Sequence, residues 1–323
     1  MKSALKIVGG VLVLVIVVVS GAVFWAGGTA KARLAVTYDT HTIDFPIPFP
    51  LSEEEVAEAG LTPEEAEAVA LERAVARGKH LVEGRYACSE CHGQDFAGGV
   101  MVDAAPIGKI LGPNLTGGTG SRVGAFTAAD WDRIVRHGVL PGDLPAAMPS
   151  EDYREMSDQE LSDIISFIRS HPAVDGEPIP RPTLGPLGKV LMATGQIRIS
   201  AESLASRTEH RGMPPMAEPS VEFGAHLAAT CVGCHNPNLT GGPIPGGDPA
   251  WSEARNLTPH EDGLAGWSYD DFRTAMRMGL RPDGSQLRVP MTLVIPVANN
   301  MTDVETEALW AYISSLEPRP TGQ

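Results

Sequence analysis

The chain has 323 residues, of which 43% are hydrophobic and 20% charged, a balance that excludes a disordered chain and leaves room for about two folded domains. Its formal net charge of −15 at pH 7 excludes the basic surface that nucleic-acid binding requires. We therefore expect no nucleic-acid partner.

The first predicted element is a membrane-spanning helix. Ile7 to Ala26 is a run of twenty residues without a charge, long enough to cross a bilayer. It is also longer than the apolar core of a cleaved signal peptide, for which Ser20 to Ala22 is the alternative cleavage site. We predict an uncleaved anchor within residues 1–33. Basic residues flank both ends of the run, so charge does not fix its orientation.

Two segments follow the anchor and together cover residues 34–75. Residues 34–50 contain three prolines and predict an extended stalk. Eight of the forty acidic residues then fall between Glu53 and Glu72, in a segment with helical spacing. We interpret this segment as a solvent-exposed helix, with a docking patch for a basic partner as the alternative.

The remainder of the chain is an internal repeat. The C-x-x-C-H motif at positions 88–92 returns at positions 231–235, and the features around it return in the same order. Strand-like alternation is nearly absent, so we predict an all-α fold with domains at 76–172 and 221–323, joined by a proline-rich linker at 173–220 with one short helix. The repeated features are Gly78 and His80 with Gly224 and His226, Asn114–Thr116 with Asn256–Thr258, a capped helix from Thr127 to Gly138 with one from Ser268 to Gly279, and final helices beginning at Ser157 and Thr302.

C-x-x-C-H is the attachment signature of c-type haem. Two cysteines three residues apart on a helical turn face the same side, where each can form a thioether with one porphyrin vinyl group, and the adjacent histidine is placed under the iron. A zinc site would need its cysteine pairs closer in sequence, and a thioredoxin-like pair would need a βαβ pattern. We therefore predict two covalently attached haem c groups, bound by Cys88, Cys91 and His92 and by Cys231, Cys234 and His235.

The sixth iron ligand separates electron transfer from catalysis. Met148 follows His92 at the same separation in sequence as Met291 follows His235, and each methionine stands beside a proline. We predict these methionines as ligands, which favours the ferrous state and raises the potential. Met301 is the alternative ligand at the second haem, and its counterpart Met156 is interpreted as a core residue. Three histidines, His80, His137 and His226, are alternatives that would give a bis-histidine iron. The surface residues are interpreted to include His41, His171, His210 and His260.

Together these motifs resemble the class I cytochrome c family, and more closely the membrane-bound multihaem cytochrome c subunits that accept electrons from periplasmic alcohol or sugar dehydrogenases. The resemblance covers about residues 76–172 and 221–317. It implies that the first and last helices of each domain cross, with Gly78 near Phe167 and Gly224 near Tyr312. It also implies that the Pro113 carbonyl accepts a hydrogen bond from the ring of His92, whereas the second domain has Arg255 at the place of the proline.

The expected function is one-electron transfer by a non-enzymatic carrier. Expected partners are a donor dehydrogenase or quinol-oxidising complex, and an acceptor oxidase or soluble cytochrome. Because haem c is attached outside the cytoplasm, we expect both domains on the periplasmic side of the inner membrane. The related subunits usually have three haems and this chain has two, so no specific dehydrogenase follows. The alternatives, a dihaem peroxidase-type enzyme and a haem-based ligand sensor, both need an open iron.

Overall fold

The computed structural model of the protein describes residues 2–41, 43–245, 247–248 and 250–323. Met1, Thr42, Gly246 and Pro249 fall inside predicted ranges but lie outside the described residues. The described part is mostly helical, which confirms the predicted fold class. Helices α1 to α13 are Lys2–Leu34, Glu53–Ala59, Pro63–Leu81, Cys88–His92, Ala128–His137, Asp158–Arg169, Pro186–Ala193, Ala201–Leu204, Val221–Ala228, Val232–His235, Tyr269–Met278, Ile295–Asn299 and Asp303–Ser315.

Each domain is organised by a crossing of its first and last helices, as the resemblance implies. α3 packs against α6 in the first domain and α9 packs against α13 in the second. A methyl group at Gly78 would overlap the Asp163 carbonyl and lie 2.8 Å from Cβ of Phe167; one at Gly224 would meet α13 in the same way, 2.7 Å from Cβ of Tyr312. Glycine is needed at both positions because the helix backbones touch there.

Helix ends follow the predicted signals. Thr127 and Ser268 form capping boxes with Asp130 and Asp271, so that two orphan N–H groups are satisfied at the start of α5 and of α11. Gly138 and Gly279 end these helices in the left-handed region, at φ 69° and 70°. The final helices α6 and α13 are capped by Ser157 and Thr302, as predicted.

A small antiparallel sheet departs from the all-α prediction. Its strands are β1 (Gly99–Ala104), β2 (Gly108–Gly112) and β3 (Thr183–Leu184), in the order β1-β2-β3. β1 and β2 carry three glycines and an irregular register, so their sequence lacks a clean alternation, and β3 has only two residues. Gly99 and Gly112 lie against the Cys91 carbonyl, which seats the sheet on α4.

Residues 35–50 are extended as predicted, but the stalk interpretation is wrong because they do not stand free of the first domain. Phe45 is buried in its core, where Ile43, Ile47 and Phe49 also pack. Ser162 on α6 donates a hydrogen bond of 2.7 Å to the Pro46 carbonyl. The acidic segment forms two capped helices, α2 and α3, and α3 continues into the first domain.

The linker is also a packed part of the molecule. It contains two helices, α7 and α8, instead of the single short helix predicted. α7 packs along the last turns of α1, and Ala30 of α1 shares a small core with Val139, Met192 and Ile199. The C-terminal end of α1 is therefore attached to the globular part of the chain.

Candidate functional site

The first C-x-x-C-H motif forms the one-turn helix α4, which begins after Ala87 in the left-handed region (φ 50°) and ends at Gly93. His92 is half-buried at its end, and its Nδ1 lies 3.0 Å from the Pro113 carbonyl oxygen. Because Nδ1–H donates to that carbonyl, Nε2 is left with a free lone pair. The hydrogen bond that the resemblance implied is therefore present.

The second motif repeats this arrangement in α10. His235 is buried, and its Nδ1 lies 2.7 Å from the Arg255 carbonyl oxygen. The change from proline to arginine does not remove the acceptor, because the backbone supplies it. Burial lowers the pKa of both His92 and His235, against the raising effect of each hydrogen bond. Both rings are therefore held as neutral imidazoles, the form that binds a metal.

The repeated Asn-Leu-Thr segments fix the loops that carry these carbonyls. Asn114 Oδ1 accepts hydrogen bonds from the backbone N–H and hydroxyl of Thr116, and its amide donates to the Val174 carbonyl at 2.7 Å. Asn256 makes the same bonds with Thr258 and with the Arg319 carbonyl. Both asparagines are buried, so the motif is structural.

An apolar cavity opens beside α4 in the first domain. Its empty space, including the open mouth, is about 1340 Å³. Cys88, Cys91, His92 and Met148 all line it, so the structure brings together the four residues predicted around the first iron. The remaining lining is mainly aliphatic and aromatic, including Val123, Phe126, Trp131, Ile134, Leu140, Tyr153, Met156, Leu161, Ile164 and Ile168.

The cavity wall also contains donors that suit the propionates of a haem. Trp131 lines it from α5, and its buried indole N–H has no hydrogen-bond partner within the described part of the chain. Arg122 also reaches the cavity wall. A donor that is orphaned in an apolar wall requires an acceptor, and a haem propionate supplies one. Trp131 was not among the site residues predicted from the sequence. Its position on the capped helix, four residues after Thr127, is the feature that could have indicated it.

The loop carrying Met148 is braced by the linker. Ser200 is buried, accepts a hydrogen bond from the Ser150 N–H at 3.1 Å, and lies 3.1 Å from the Met148 carbonyl. Met156 is buried in the first core, as predicted.

In the second domain Met291 is half-buried at the start of a 3₁₀ turn, Met291–Leu293. Ser252 donates to the Val289 carbonyl at 3.1 Å and braces this loop in turn. Met301, the rival ligand, packs against the second core as Met156 does in the first.

The other histidines point elsewhere. His80 and His226 bind acidic residues between the domains, at 2.9 Å from Glu305 and Glu160, and His137 Nδ1 donates to the Leu204 carbonyl. The surface interpretation is wrong for two residues: both ring nitrogens of His41 are buried, and His171 lies half-buried between two phenylalanine rings. Within the described residues, no histidine besides His92 lines the first cavity.

A pseudo-symmetric ion cluster joins the two domains. Glu160 and Glu305 are the capping-box acids of α6 and α13, and both are buried. Each accepts a hydrogen bond from a histidine of the other domain, and Arg85 contacts both. Burial acts to raise their pKa values, but bonds from His80 and His226 together with the charge of Arg85 outweigh it. The pKa of Glu160 is lowered, and that of Glu305 is lowered to about 2.

Two further contacts bring the attachment sites together. The turn Ser150–Asp152, just after Met148, packs on α10, and Asp152 lies against Gly233 between the two cysteines of the second motif. Reciprocally, α12, just after Met291, packs on the π-helical turn Val82–Tyr86 that leads into Cys88. The domain interface is therefore built from the two attachment sites and the two methionine loops.

Comparisons with known proteins identify both halves. Residues 73–168 match the family described as cytochrome c oxidase, cbb3-type, subunit III, and residues 221–317 match the family described as cytochrome c.

Three relatives illustrate the similarity. The chain is 26% identical, over 73% of its length, to the cytochrome c subunit of alcohol dehydrogenase (quinone) from Gluconacetobacter polyoxogenes, covering 54% of that protein. It is 27% identical, over 77%, to the cytochrome c subunit of gluconate 2-dehydrogenase from Pantoea cypripedii, covering 61%. It is 24% identical, over 70%, to a diheme cytochrome c-type protein from Cereibacter sphaeroides, covering 80%.

The chain thus spans little more than half the length of the two dehydrogenase subunits, but four fifths of the diheme cytochrome. The two matched families, the two attachment helices and the two histidines with a fixed ring N–H agree with one another. The chain consists of two tandem cytochrome c domains, each with one covalently bound haem c, behind an N-terminal apolar helix, and it belongs to the cytochrome c family.

Proposed function

We propose that the protein is a dihaem electron carrier anchored in the inner membrane, with both domains on the periplasmic side. Haem c supplies an iron that alternates between the ferrous and ferric states by one electron. The observation that carries the proposal is the duplicated site, in which a neutral histidine with a fixed ring N–H is followed by a methionine loop. Two such sites in contact suit electron transfer.

The proposed axial ligands are His92 with Met148 and His235 with Met291. The lining of the first cavity by both His92 and Met148 supports the first pair. The equal spacing and the braced loop support the second pair. Thioether sulfur on the open side of each iron would exclude peroxide and other small ligands, which is what separates a carrier from a peroxidase.

Electrons would pass between the two sites through the domain interface. The turn that follows Met148 packs against α10, which carries Cys234 and His235, so the methionine loop of one site touches the attachment helix of the other. The buried ion cluster of Arg85, Glu160 and Glu305 holds this interface in one arrangement. A fixed separation is what rapid internal transfer needs.

The membrane anchor is proposed from the two parts of α1. Its apolar residues 7–19, together with Phe24 and Trp25, are exposed, and the helix is long and apolar enough to cross a membrane. From Ala26 onward the helix packs on the globular part, with Ala26 and Ala30 fully buried. Cleavage at the alternative site, Ser20 to Ala22, would keep this packed end, so the proposal of an uncleaved anchor is supported by the length of the apolar run.

The proposed donor is a dehydrogenase or quinol-oxidising complex, and the proposed acceptor an oxidase or soluble cytochrome. The support is the similarity to cytochrome c subunits of alcohol and gluconate dehydrogenases. Potentiometric titration of the full chain in detergent should resolve two one-electron transitions. Repeated consumption of peroxide by the reduced protein would overturn the proposal in favour of a peroxidase.

A further inference from the structure

Three side chains converge at a point away from the haem cavity. His41 comes from the extended segment after α1, and Asp132 and His137 come from α5. One ligand atom from each lies within 4.8 Å of the other two. Asp132 and His137 are buried, and both ring nitrogens of His41 are shielded from solvent. None of the three lines the first cavity.

The acceptor atoms of this cluster lack the hydrogen-bond donors that they need, and a cation could take the place of those donors. His137 Nδ1 lies 2.8 Å from the Leu204 carbonyl oxygen and donates its proton there, so Nε2 presents a lone pair. That lone pair faces Asp132 Oδ2 at 3.5 Å, and no described residue donates a hydrogen bond to this oxygen. Neither nitrogen of His41 has a hydrogen-bond partner among the residues that the structure describes. Buried polar atoms in this state are rare without water or an ion between them.

The charges around the cluster also favour a cation. Arg136 donates from Nε to Asp132 Oδ1 at 2.6 Å, and its Nη2 lies 2.8 Å from Asp158 Oδ1. His210 lies on the far side of Asp158, with its Nδ1 3.0 Å from Oδ2, and stacks on His41 at 6.0 Å between ring centroids. One arginine among two carboxylates leaves a net negative charge when the three histidines are neutral.

We propose that His41, Asp132 and His137 form a binding site for a divalent metal ion, with Zn²⁺ as the best fit. Two imidazoles and one carboxylate are a ligand set that zinc accepts, with the fourth tetrahedral position left to water. The hydrogen bond from His137 Nδ1–H to a backbone carbonyl is the usual way in which a metal-binding imidazole is oriented.

A metal ion at this site would connect separate segments of the chain. His41 belongs to the segment that leads out of α1, Asp132 and His137 belong to the first domain, and the Leu204 carbonyl belongs to the linker. A bound ion would fasten the membrane-proximal segment and the linker to one helix of the first domain. It would also stabilise the folded state, because the unfolded chain does not hold the three ligands together.

The test uses the full chain with both haems in detergent, stripped of loosely bound metal with a chelator and then titrated with Zn²⁺ alone. Calorimetry should give one site per chain, and elemental analysis after removal of free metal should give one zinc per two irons. Zinc should also raise the thermal unfolding temperature. No zinc uptake by the wild-type chain would overturn the proposal.

Variants separate the site from adventitious binding. The variant His41→Ala removes one ligand, and because His41 lies on an extended segment the change has little structural cost. The affinity for Zn²⁺ should fall by about 100-fold while the haem content stays unchanged. The variant Asp132→Asn should have the same effect. If this variant fails to fold because the ion pair with Arg136 is lost, His137→Asn is used in its place. His210→Ala is the matched control, because it removes a neighbouring imidazole outside the triad and should bind zinc normally. Equal binding by His41→Ala and the wild type would refute the site.

Discussion

His92 and His235 show that one backbone acceptor can keep its geometry while the residue that supplies it changes. Pro113 and Arg255 differ in every side-chain property, yet each presents its carbonyl to a ring Nδ1, at 3.0 and 2.7 Å. The sequence could predict the first acceptor from a motif and the second only by position. The loop that the buried asparagine holds keeps this carbonyl in place, whichever residue supplies it.

Trp131 marks a difference between the two haem sites. Its indole N–H is buried without a partner in the cavity wall, whereas the second domain has Phe272 at the equivalent position, four residues after the helix cap. We expect Trp131→Phe to keep the apolar wall and to shift the potential of the first haem alone. Potentiometric titration would measure this, with the second haem as internal control. A shift of both potentials, or of neither, would contradict the assigned role.

At the scale of elements, the helix crossings depend on glycine. Gly78→Ala would place a methyl group on the Asp163 carbonyl and force α3 away from α6. We expect the free energy of unfolding to fall by about 1–3 kcal/mol or more, as measured by urea unfolding followed by circular dichroism. Gly117→Ala is the matched control, because nothing lies within 4 Å of the added methyl group. Equal stability of the two variants would argue against the crossing.

The elements that the sequence predicted are those whose signals are local. Capping boxes at Thr127 and Ser268, stops at Gly138 and Gly279, and the final helices all lie where their residues indicated. β3 was missed because a two-residue strand exists only through pairing with β2. Residues 35–50 were misplaced because proline content indicates extension but says nothing about which core will bury Phe45.

For the molecule as a whole, the interface between the domains depends on two buried carboxylates. The pKa of Glu305 falls from 4.5 to about 2 because the His80 bond and the Arg85 charge outweigh its burial. A lowered pKa in the folded state means that the stabilisation is complete above about pH 4.5 and is lost as the pH falls towards 2. A shift of this size corresponds to on the order of 3 kcal/mol.

We therefore expect Glu305→Gln to unfold more easily at neutral pH, by about 3 kcal/mol, and to lose less stability than the wild type between about pH 5 and about pH 2. Urea unfolding across this pH range would measure both effects. Glu317→Gln is the control, since Glu317 is exposed and forms an exposed ion pair with Arg319. Parallel pH curves for the wild type and Glu305→Gln would contradict the ion-pair account.

The interface also marks the limit of what the sequence could say about the site. Repetition of C-x-x-C-H, and of a methionine at the same separation after each motif, predicted each site by itself. His80 and His226 recur at matching positions, but their recurrence reflects reciprocal bonds to Glu305 and Glu160 across the interface. No local pattern contains that information, because each partner lies in the other domain.

The most direct test concerns the axial methionines on which the carrier function depends. The oxidised full-length protein should show the weak near-infrared absorption band of methionine sulfur bound to ferric haem, in the amount expected for two sites. Met148→Ala and Met291→Ala should each remove about half of it, and the double variant all of it. A full band after either single change, or rapid binding of carbon monoxide to the native reduced protein, would contradict the account.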